Sequence, residues 1–292
     1  MTRGTSLNIS AGVASVTVAL ILVALKLWAL GMTSSLSVAA SLADSALDLM
    51  MSLGGLMAIF YAARPADEDH AFGHTSVEDL AALAQSIFIL VSGGAIAWSA
   101  VHRLMSDTPT GLAAQGPGMA VMALSILLTL ALVLWQRRVA TRTGNRVVAA
   151  DSLHYMSDLI PNIGAIAALW VSRQFGFGAV DNVVALATAA ILVVGSLRIG
   201  KGAWDALMDR RADPALIEGI GRIAADWPGV RGYHDLKTRT AGSVVFVNIH
   251  IELDGDQSLR AAHGIGAGLR RKIIETYPQC DVIVHKDVAG EG

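Results

Sequence analysis

The sequence predicts an α-helical membrane protein with six transmembrane helices, followed by a C-terminal α+β domain outside the membrane. The chain is 53% hydrophobic and only 16% charged, whereas about a quarter of the residues of a soluble domain are charged. The long apolar stretches are confined to residues 1–208, while residues 209–292 have the composition of a soluble domain. We therefore expect two domains, 1–208 and 209–292.

Six apolar stretches each reach the ~20 residues that cross a bilayer as a helix. Pro161 lies in the fifth stretch and is expected to kink that helix, which membrane helices tolerate. The first stretch is too long for the apolar core of a signal peptide and lacks a small-residue cleavage site, so we expect no cleavable signal. The stretches cover residues 8–31, 36–63, 78–104, 117–139, 147–172 and 178–204.

Basic residues near the helix ends indicate the orientation of the membrane domain. The loops on one side carry few of them, whereas two groups lie on the other side. These groups are Arg137, Arg138, Arg142 and Arg146 between helices 4 and 5, and Arg198, Lys201, Arg210 and Arg211 around the end of helix 6. Both termini are therefore expected to face the cytoplasm. Lys26, near the outer end of helix 1, is an exception whose long stem could reach the interface.

The soluble domain has the predicted element order α-β-β-α-β, which is typical of helices packed on one face of a small sheet. Asp213 and Pro214 match an N-cap followed by proline at the first helical position. Alternating residues flank Ala241-Gly242, which is a hairpin signal. The expected elements are a helix over 214–226, strands over 231–240 and 243–253, a helix over 259–277 and a strand over 281–287.

Two apolar stretches carry ionisable pairs spaced by four residues, Asp44 with Asp48 and His154 with Asp158. This spacing puts both members of a pair on one side of a helix. A charge at bilayer depth costs at least ~2.5 kcal/mol, so such residues usually face the bundle interior and mark an ion path. The four side chains form a plausible tetrahedral site for a divalent cation such as zinc. Any one of them could instead be a hydrogen-bonded core residue.

The loop between helices 2 and 3 brings three metal-ligating residue types close together in sequence. It contains Asp67, His70 and His74, and carboxylate and imidazole both bind divalent metals. The spacing alone leaves open a second interpretation, in which this is a solvated acidic loop with two incidental histidines.

The soluble domain holds four of the eight histidines of the chain. Asp287 stands two residues beyond the last of them, on the same face of the expected final strand. Scattered surface histidines are the alternative, because no CxxC or HExxH motif narrows the interpretation. The histidines are His234, His250, His263 and His285.

Several functions are excluded or disfavoured by what the sequence lacks. The single cysteine, Cys280, excludes an intramolecular disulfide and a cysteine-rich metal site. A formal net charge of −2 gives no indication of a nucleic-acid partner. No G-x-x-x-x-G-K-[ST] or D-K-T-G motif suggests a nucleotide-driven pump. We therefore expect a secondary transporter and not an enzyme.

Together these residues resemble the cation diffusion facilitator family, and most closely its bacterial zinc and ferrous-iron efflux branch. The resemblance covers nearly the whole chain. The motifs that carry it are Ser41-Leu-Ala-Asp44-Ser-Ala-Leu-Asp48, Pro65-Ala-Asp-Glu-Asp-His-Ala-Phe-Gly-His74, Glu78-Asp-Leu-Ala-Ala-Leu-Ala-Gln85, Ala150-Asp-Ser-Leu-His154-Tyr-Met-Ser-Asp158, His234-Asp-Leu-Lys-Thr-Arg239, Asn248-Ile-His-Ile-Glu252 and Val282-Ile-Val-His-Lys-Asp287.

The resemblance implies a homodimer in the bacterial inner membrane, with a ferredoxin-like, metallochaperone-like cytoplasmic domain in each subunit. It implies Zn²⁺, with Cd²⁺ or Fe²⁺, as transported ions, and Zn²⁺ as a structural or regulatory ion as well. Three sites follow from it. They are a transport site of Asp44, Asp48, His154 and Asp158, a loop site of Asp67, His70 and His74, and a cytoplasmic two-metal site of His234, His250, His263, His285 and Asp287, with Asp287 as the bridge.

The expected mechanism is exchange of a divalent metal leaving the cytoplasm for protons entering it. His154 must be neutral to bind metal, and an imidazole titrates at a pKa of ~6.5, so protons compete near physiological pH. The main alternative is a membrane-bound metal sensor or binding protein that does not transport. Ligands at bilayer depth, such as Asp48 and Asp158, argue against it. An intramembrane hydrolase is weaker still, since no oxyanion-stabilising device is evident.

One position departs from the family pattern. Relatives in this branch carry a lysine soon after the loop histidines, which pairs with an acid at the end of helix 6. The matching position here is Ser76, and Asp209 is the retained acid. We expect Asp209 to pair with Arg210 or Arg211 instead, or the dimer to be held mainly by its cytoplasmic domains.

Overall fold

The computed structural model describes residues 3–33, 36–105, 117–175 and 180–290. The chain divides into two compact units, Met1–Trp204 and Asp205–Gly292. In the described residues the first unit is helical, whereas the second combines helices with a three-stranded sheet. The division falls after Trp204, while the composition of the sequence suggested a boundary after residue 208.

Six long helices make up the membrane part of the described chain, and the predicted helical fold class is confirmed. They are α1 (Arg3–Thr33), α2 (Leu36–Ala62), α3 (Ser76–Met105), α4 (Pro117–Thr143), α5 (Arg146–Phe175) and α6 (Val180–Leu207). Five are long and apolar enough to cross a membrane: Gly4–Met32, Ser41–Ala62, Ser76–Ser99, Leu124–Thr143 and Leu186–Leu207. The remaining helix, α5, stays helical through Pro161 and carries His154 and Asp158.

Small residues allow the membrane helices to approach one another closely. Ala11, Ala82 and Ala203 are fully buried in one cluster with branched side chains. At Gly195 an added Cβ would lie 2.7 Å from the end of the Leu153 side chain, so a larger residue would require Leu153 to move and glycine lets α6 approach α5 closely. Close backbone approach between small residues is the usual basis of helix association in membranes.

Polar contacts fix the beginning of α5 against the beginning of α3. The Asn145 side chain donates from Nδ2 to Glu78 Oε1 at 2.7 Å, and its Oδ1 accepts from the Val148 amide at 3.0 Å, so it caps α5. Arg146 forms an ion pair with Asp79. These contacts determine where α5 starts and therefore the depth at which its ligand residues lie.

The second unit has the predicted order α-β-β-α-β. Its elements are α7 (Pro214–Ala225), β1 (Gly232–Ala241), β2 (Val244–Leu253), α8 (Leu259–Thr276) and β3 (Cys280–Val288). The Asp213 carboxylate caps α7 by accepting from the Ala215 amide at 2.8 Å. In the sheet, β2 is central, antiparallel to β1 and parallel to β3.

The two helices of this unit cover one face of the sheet. Every second residue of β2, including Val247, Ile249 and Ile251, is buried in a core shared with Leu269 and Ile273 of α8. Successive strand residues point to opposite faces. The alternate residues of β2, among them His250, therefore lie on the face away from that core.

The acid at the end of α6 does not pair as expected. Asp209 has a positive φ of 55°, and its Oδ1 accepts from Arg239 Nη1 at 3.3 Å. Arg210 instead forms an ion pair with Asp205. The expectation that Asp209 pairs with Arg210 or Arg211 is therefore wrong, because the guanidinium that reaches it comes from β1.

Candidate metal centres

Strand register assembles the histidine cluster of the second unit. His234 of β1 pairs with His250 of β2, and His250 pairs in turn with His285 of β3. The three imidazoles therefore form a row across the sheet, with ring centroids 5.2 Å and 4.5 Å apart between neighbours. Asp287, two residues beyond His285, brings its carboxylate to the same row.

The Asp287 carboxylate presents different oxygens to different histidines. Its Oδ2 lies 2.9 Å from His250 Nδ1 and 3.3 Å from His234 Nε2. Its Oδ1 lies 3.1 Å from His285 Nε2. Each oxygen of this carboxylate thus has an imidazole nitrogen beside it, and the bridging role expected for Asp287 stays a prediction.

Hydrogen bonding and charge hold this carboxylate in its ionised form. The hydrogen bond from His250 lowers the pKa of Asp287 below its ordinary value of 3.8, and the charges of the neighbouring histidines add to the effect. An ionised carboxylate among three imidazoles is the protonation state that a divalent metal requires from this ligand.

His263 is not brought to this cluster within one subunit. It is exposed on α8, and α8 packs on the face of the sheet opposite the histidine row. The group of described ligand atoms that lie within 4.8 Å of one another contains His234, His250 and Asp287. The assignment of His263 to the two-metal site therefore stays a prediction that requires a second copy of the chain.

The loop between α2 and α3 folds around the Asp67 carboxylate. Its Oδ1 accepts from the His70 amide at 2.7 Å, and this bond lowers the pKa of Asp67. Its Oδ2 lies 3.2 Å from Nε2 of His74, a buried residue whose Nδ1 has no partner among the described residues. The Asp67, His70 and His74 ligand atoms lie within 4.8 Å of one another. The structure thus brings together all three residues of the expected loop site.

A third group lies inside the helical bundle. His154 Nε2 of α5 lies 3.0 Å from Asp48 Oδ1 of α2, and Asp158 of α5 completes a group of ligand atoms within 4.8 Å of one another. His154 is buried and contacts the Phe88 ring edge-on, with centroids 5.8 Å apart. Asp44 is exposed one turn before Asp48 and does not belong to this group.

A buried polar network supports α5 beside this group. The Tyr155 hydroxyl lies 2.8 Å from Ser52 Oγ, and Ser15 Oγ donates to Ser52 Oγ at 2.8 Å. One turn earlier, Gln136 Nε2 donates to Asp151 Oδ2 at 2.5 Å. The network joins α1, α2, α4 and α5, and it fixes the rotation of the helix that presents His154.

Sequence patterns did not reveal how Lys26 is used. Its Nζ donates to Ser45 Oγ at 2.6 Å and to the Ser41 carbonyl oxygen at 3.1 Å. The partly buried ammonium therefore binds α2, the helix that carries Asp44 and Asp48. The one sequence feature that marked Lys26 as unusual was its basic charge near the outer end of helix 1, where the orientation rule expects few basic residues.

Comparison with known proteins decides the family. The family model described as "Cation efflux transmembrane domain" matches residues 12–208, and the model described as "Cation efflux protein, cytoplasmic domain" matches residues 212–288. This chain belongs to the cation efflux family. The resemblance to cation diffusion facilitators is thereby confirmed, and this cation efflux protein is a membrane transporter with metal-binding groups and not an enzyme.

Relatives of this cation efflux protein match along nearly the whole chain. The cation-efflux pump FieF of Shewanella oneidensis is 41% identical over 274 residues, covering 94% of this chain and 92% of that protein. FieF of Klebsiella pneumoniae subsp. pneumoniae is 38% identical over 277 residues, covering 95% and 91%.

Solved structures similar to this cation efflux protein cover its second unit. The zinc form of CzrB is 29% identical, with a TM-score of 0.28, and covers 29% of this chain and 98% of its own. The metal-bound C-terminal domain of the CzcD transporter from Thermotoga maritima is 24% identical, with a TM-score of 0.26, and covers 26% and 91%.

The lowered pKa of Asp287 predicts a pH-dependent contribution to stability in metal-free protein. A carboxylate whose pKa is lower in the folded state stabilises the fold above its unfolded-state pKa, and this contribution is lost as the pH falls through the folded value. Asp287→Asn should therefore lower the unfolding temperature of the second unit at pH 5–7. The difference from wild type should shrink below the ordinary value of 3.8. Thermal unfolding in chelator at several pH values measures it, and a constant difference down to pH 3 would contradict the argument.

Proposed function

We propose that this protein exports divalent metal ions from the cytoplasm in exchange for protons, with Zn²⁺ as the main substrate and Cd²⁺ or Fe²⁺ as further substrates. The observation that carries this proposal is the convergence of Asp48, His154 and Asp158 inside the helical bundle. Two carboxylates and one imidazole are a ligand set suited to zinc. A metal-binding group at bilayer depth has no use in a protein that only senses metal at the membrane surface.

Asp44 is the proposed fourth ligand. It lies on α2 one turn from Asp48, so a small rotation or tilt of this helix would carry it toward the other three groups. A site with three ligands in one state and four in another binds metal with different strength in the two states. Such a difference is what a carrier needs in order to load an ion on one side and release it on the other.

The contact between His154 and Asp48 supports proton coupling. In metal-free protein the 3.0 Å separation of Nε2 and Oδ1 is that of a hydrogen bond, which requires a proton on one of the two groups. A metal ion bound to both atoms must displace this proton, because ligating imidazole nitrogen and carboxylate oxygen are both deprotonated. Metal binding and proton binding therefore compete for the same two atoms.

The histidine row supports a second, regulatory function for the tail. One metal ion would take His234, His250 and Asp287 Oδ2, whereas a second ion at Asp287 Oδ1 would have His285 as its one neighbouring imidazole among the described residues of this subunit. A tetrahedral ion needs further ligands there. We propose that His263 of a second copy supplies one, so that metal binding tightens a homodimer by linkage.

The loop group is the third proposed site. Asp67, His70 and His74 lie where α2 passes into α3, and α2 also carries Asp48. A metal ion held by the loop would stiffen the start of α3 and the end of α2. We further propose that the homodimer resides in the bacterial inner membrane with both termini in the cytoplasm, in accord with the arginines between α4 and α5.

Removing a ligand of the membrane site should abolish transport without unfolding the protein. Asp48→Ala and His154→Ala each leave too few ligands for tight binding, while the apolar helix contacts persist. We expect zinc uptake into proteoliposomes to fall by ~10–100-fold or more, since even the loss of a group that only orients a metal ligand costs about 10–100-fold. Asp256→Ala, at an exposed acid of the tail, is the matched control and should transport normally. Normal flux through Asp48→Ala would refute the site, and a wild-type protein that binds zinc without flux would indicate a sensor.

Removing one tail histidine should separate regulation from the transport path. His285→Ala should lose about one of the two tail-bound metal ions and weaken the dimer, because only the Oδ1 side of Asp287 is affected. Part of the zinc flux should persist. Metal content and dimer dissociation on dilution measure the first effect, with His102→Ala, at an exposed histidine of α3, as control. Complete loss of flux would make the cluster part of the path.

A further inference from the structure

We propose that Lys26 is a resident counter-cation of the membrane metal site, whose fixed positive charge offsets one carboxylate and thereby sets how tightly a divalent ion is held. The proposal deepens the transport function and rests on it. It assigns Lys26 to the site as a positioning and affinity-setting residue, not as a ligand.

The location of Lys26 requires an explanation of its own. It is the one charged residue of the apolar span Gly4–Met32. An ammonium in such a span is unfavourable unless it reaches the interface or finds partners in the protein. Here it finds partners, since Nζ donates to Ser45 Oγ at 2.6 Å and to the Ser41 carbonyl oxygen at 3.1 Å.

Both partners belong to the turn of α2 that carries the acids of the site. Ser45 is buried, follows Asp44 directly and precedes Asp48 by three residues, less than one helical turn. Asp158 of α5 lies with Asp48 in one group of ligand atoms within 4.8 Å of one another. The ammonium is thus bound to the segment of α2 that carries two of these carboxylates, and its charge acts on the group at short range.

With Asp44 as the fourth ligand, the charges of the four ligands, the divalent ion and Lys26 sum to zero. Three ionised carboxylates, Asp44, Asp48 and Asp158, with neutral His154 and one divalent ion, carry a net charge of −1. The ammonium brings the total to zero. An uncompensated charge inside a membrane bundle is costly, so a neutral loaded site crosses the membrane interior more easily than a charged one.

The same charge weakens the hold of the site on its ion. Lys26 and a divalent metal repel each other, and this repulsion is strong where water is scarce. Neutralising Lys26 should therefore tighten metal binding and, because the loaded site is then charged, slow its movement. A residue that merely ties α1 to α2 would have the opposite signature, since its loss loosens the site and weakens binding.

The test compares zinc uptake by proteoliposomes carrying wild type, Lys26→Gln, Lys26→Arg or Ser45→Ala. Glutamine removes the charge but keeps an N–H donor for the Ser41 carbonyl. We expect Lys26→Gln to lower KM by on the order of tenfold and to reduce the maximal rate several-fold, while Lys26→Arg restores both toward wild type. Ser45→Ala leaves the charge and should not lower KM. Lys201→Gln, which removes an exposed cation of α6, controls for net charge.

Several results would overturn the proposal. An unchanged or raised KM in folded Lys26→Gln protein would show that the charge does not act on the metal. If Ser45→Ala also lowered KM, the effect would come from the lost hydrogen bond between α1 and α2. If Lys201→Gln also lowered KM, it would come from the net charge of the protein. If Lys26→Gln and Lys26→Met both fail to fold whereas Lys26→Arg folds, Lys26 serves folding alone. Absence of zinc uptake by wild type would instead refute the proposed function.

Discussion

Ionised carboxylates inside a membrane bundle impose the constraint on which the rest of this structure depends. Asp48 and Asp158 lie among apolar helices, where each charge must be offset by a proton, a metal ion or a neighbouring cation. His154 contacts Asp48 directly, and Lys26 binds the turn that precedes it. At Gly55 of α2 an added Cβ would lie 3.2 Å from the Val147 side chain of α5, so a small residue lets the two ligand-bearing helices approach closely. The charged groups can offset one another because the helices that carry them pack closely.

The second unit also uses histidine and aspartate side chains, but it places them on one face of a sheet. Its sheet uses one face for an apolar core with α7 and α8 and leaves the other for the row of histidines at Asp287. Since the row is built by strand pairing, its geometry is as rigid as the sheet itself. The two oxygens of Asp287 face different histidines.

Local patterns in the sequence were enough to predict the elements and the faces of the strands. Asp213 caps the helix as expected, and His285 and Asp287 share a strand face as their spacing predicted. The side-by-side arrangement of His234, His250 and His285 was not predictable, because it depends on the register of three strands that are far apart in the chain.

Long side chains and helix rotation account for what the sequence did not predict. Lysine has a stem long enough to reach either the interface or an internal partner, so Lys26 could not be assigned from its position alone. The partner of Asp209 is 30 residues away, beyond any local pattern. Spacing of four gives Asp44 and Asp48 a common side, yet they differ by about 6 Å in depth and about 40° in direction. Because of that difference, Asp48 belongs to the group with His154 and Asp158, whereas Asp44 lies outside it.

The central claim is that metal and protons compete for the same atoms at Asp48 and His154 and therefore cross in opposite directions. The most direct measurement is the internal pH of dye-loaded proteoliposomes during zinc uptake, with the membrane potential clamped. Zinc entry should make the interior more alkaline as protons leave, and His154→Ala should abolish this change. If zinc enters at a normal rate and the internal pH stays constant, the protein is a uniporter or uses another counter-ion, and the claim is wrong.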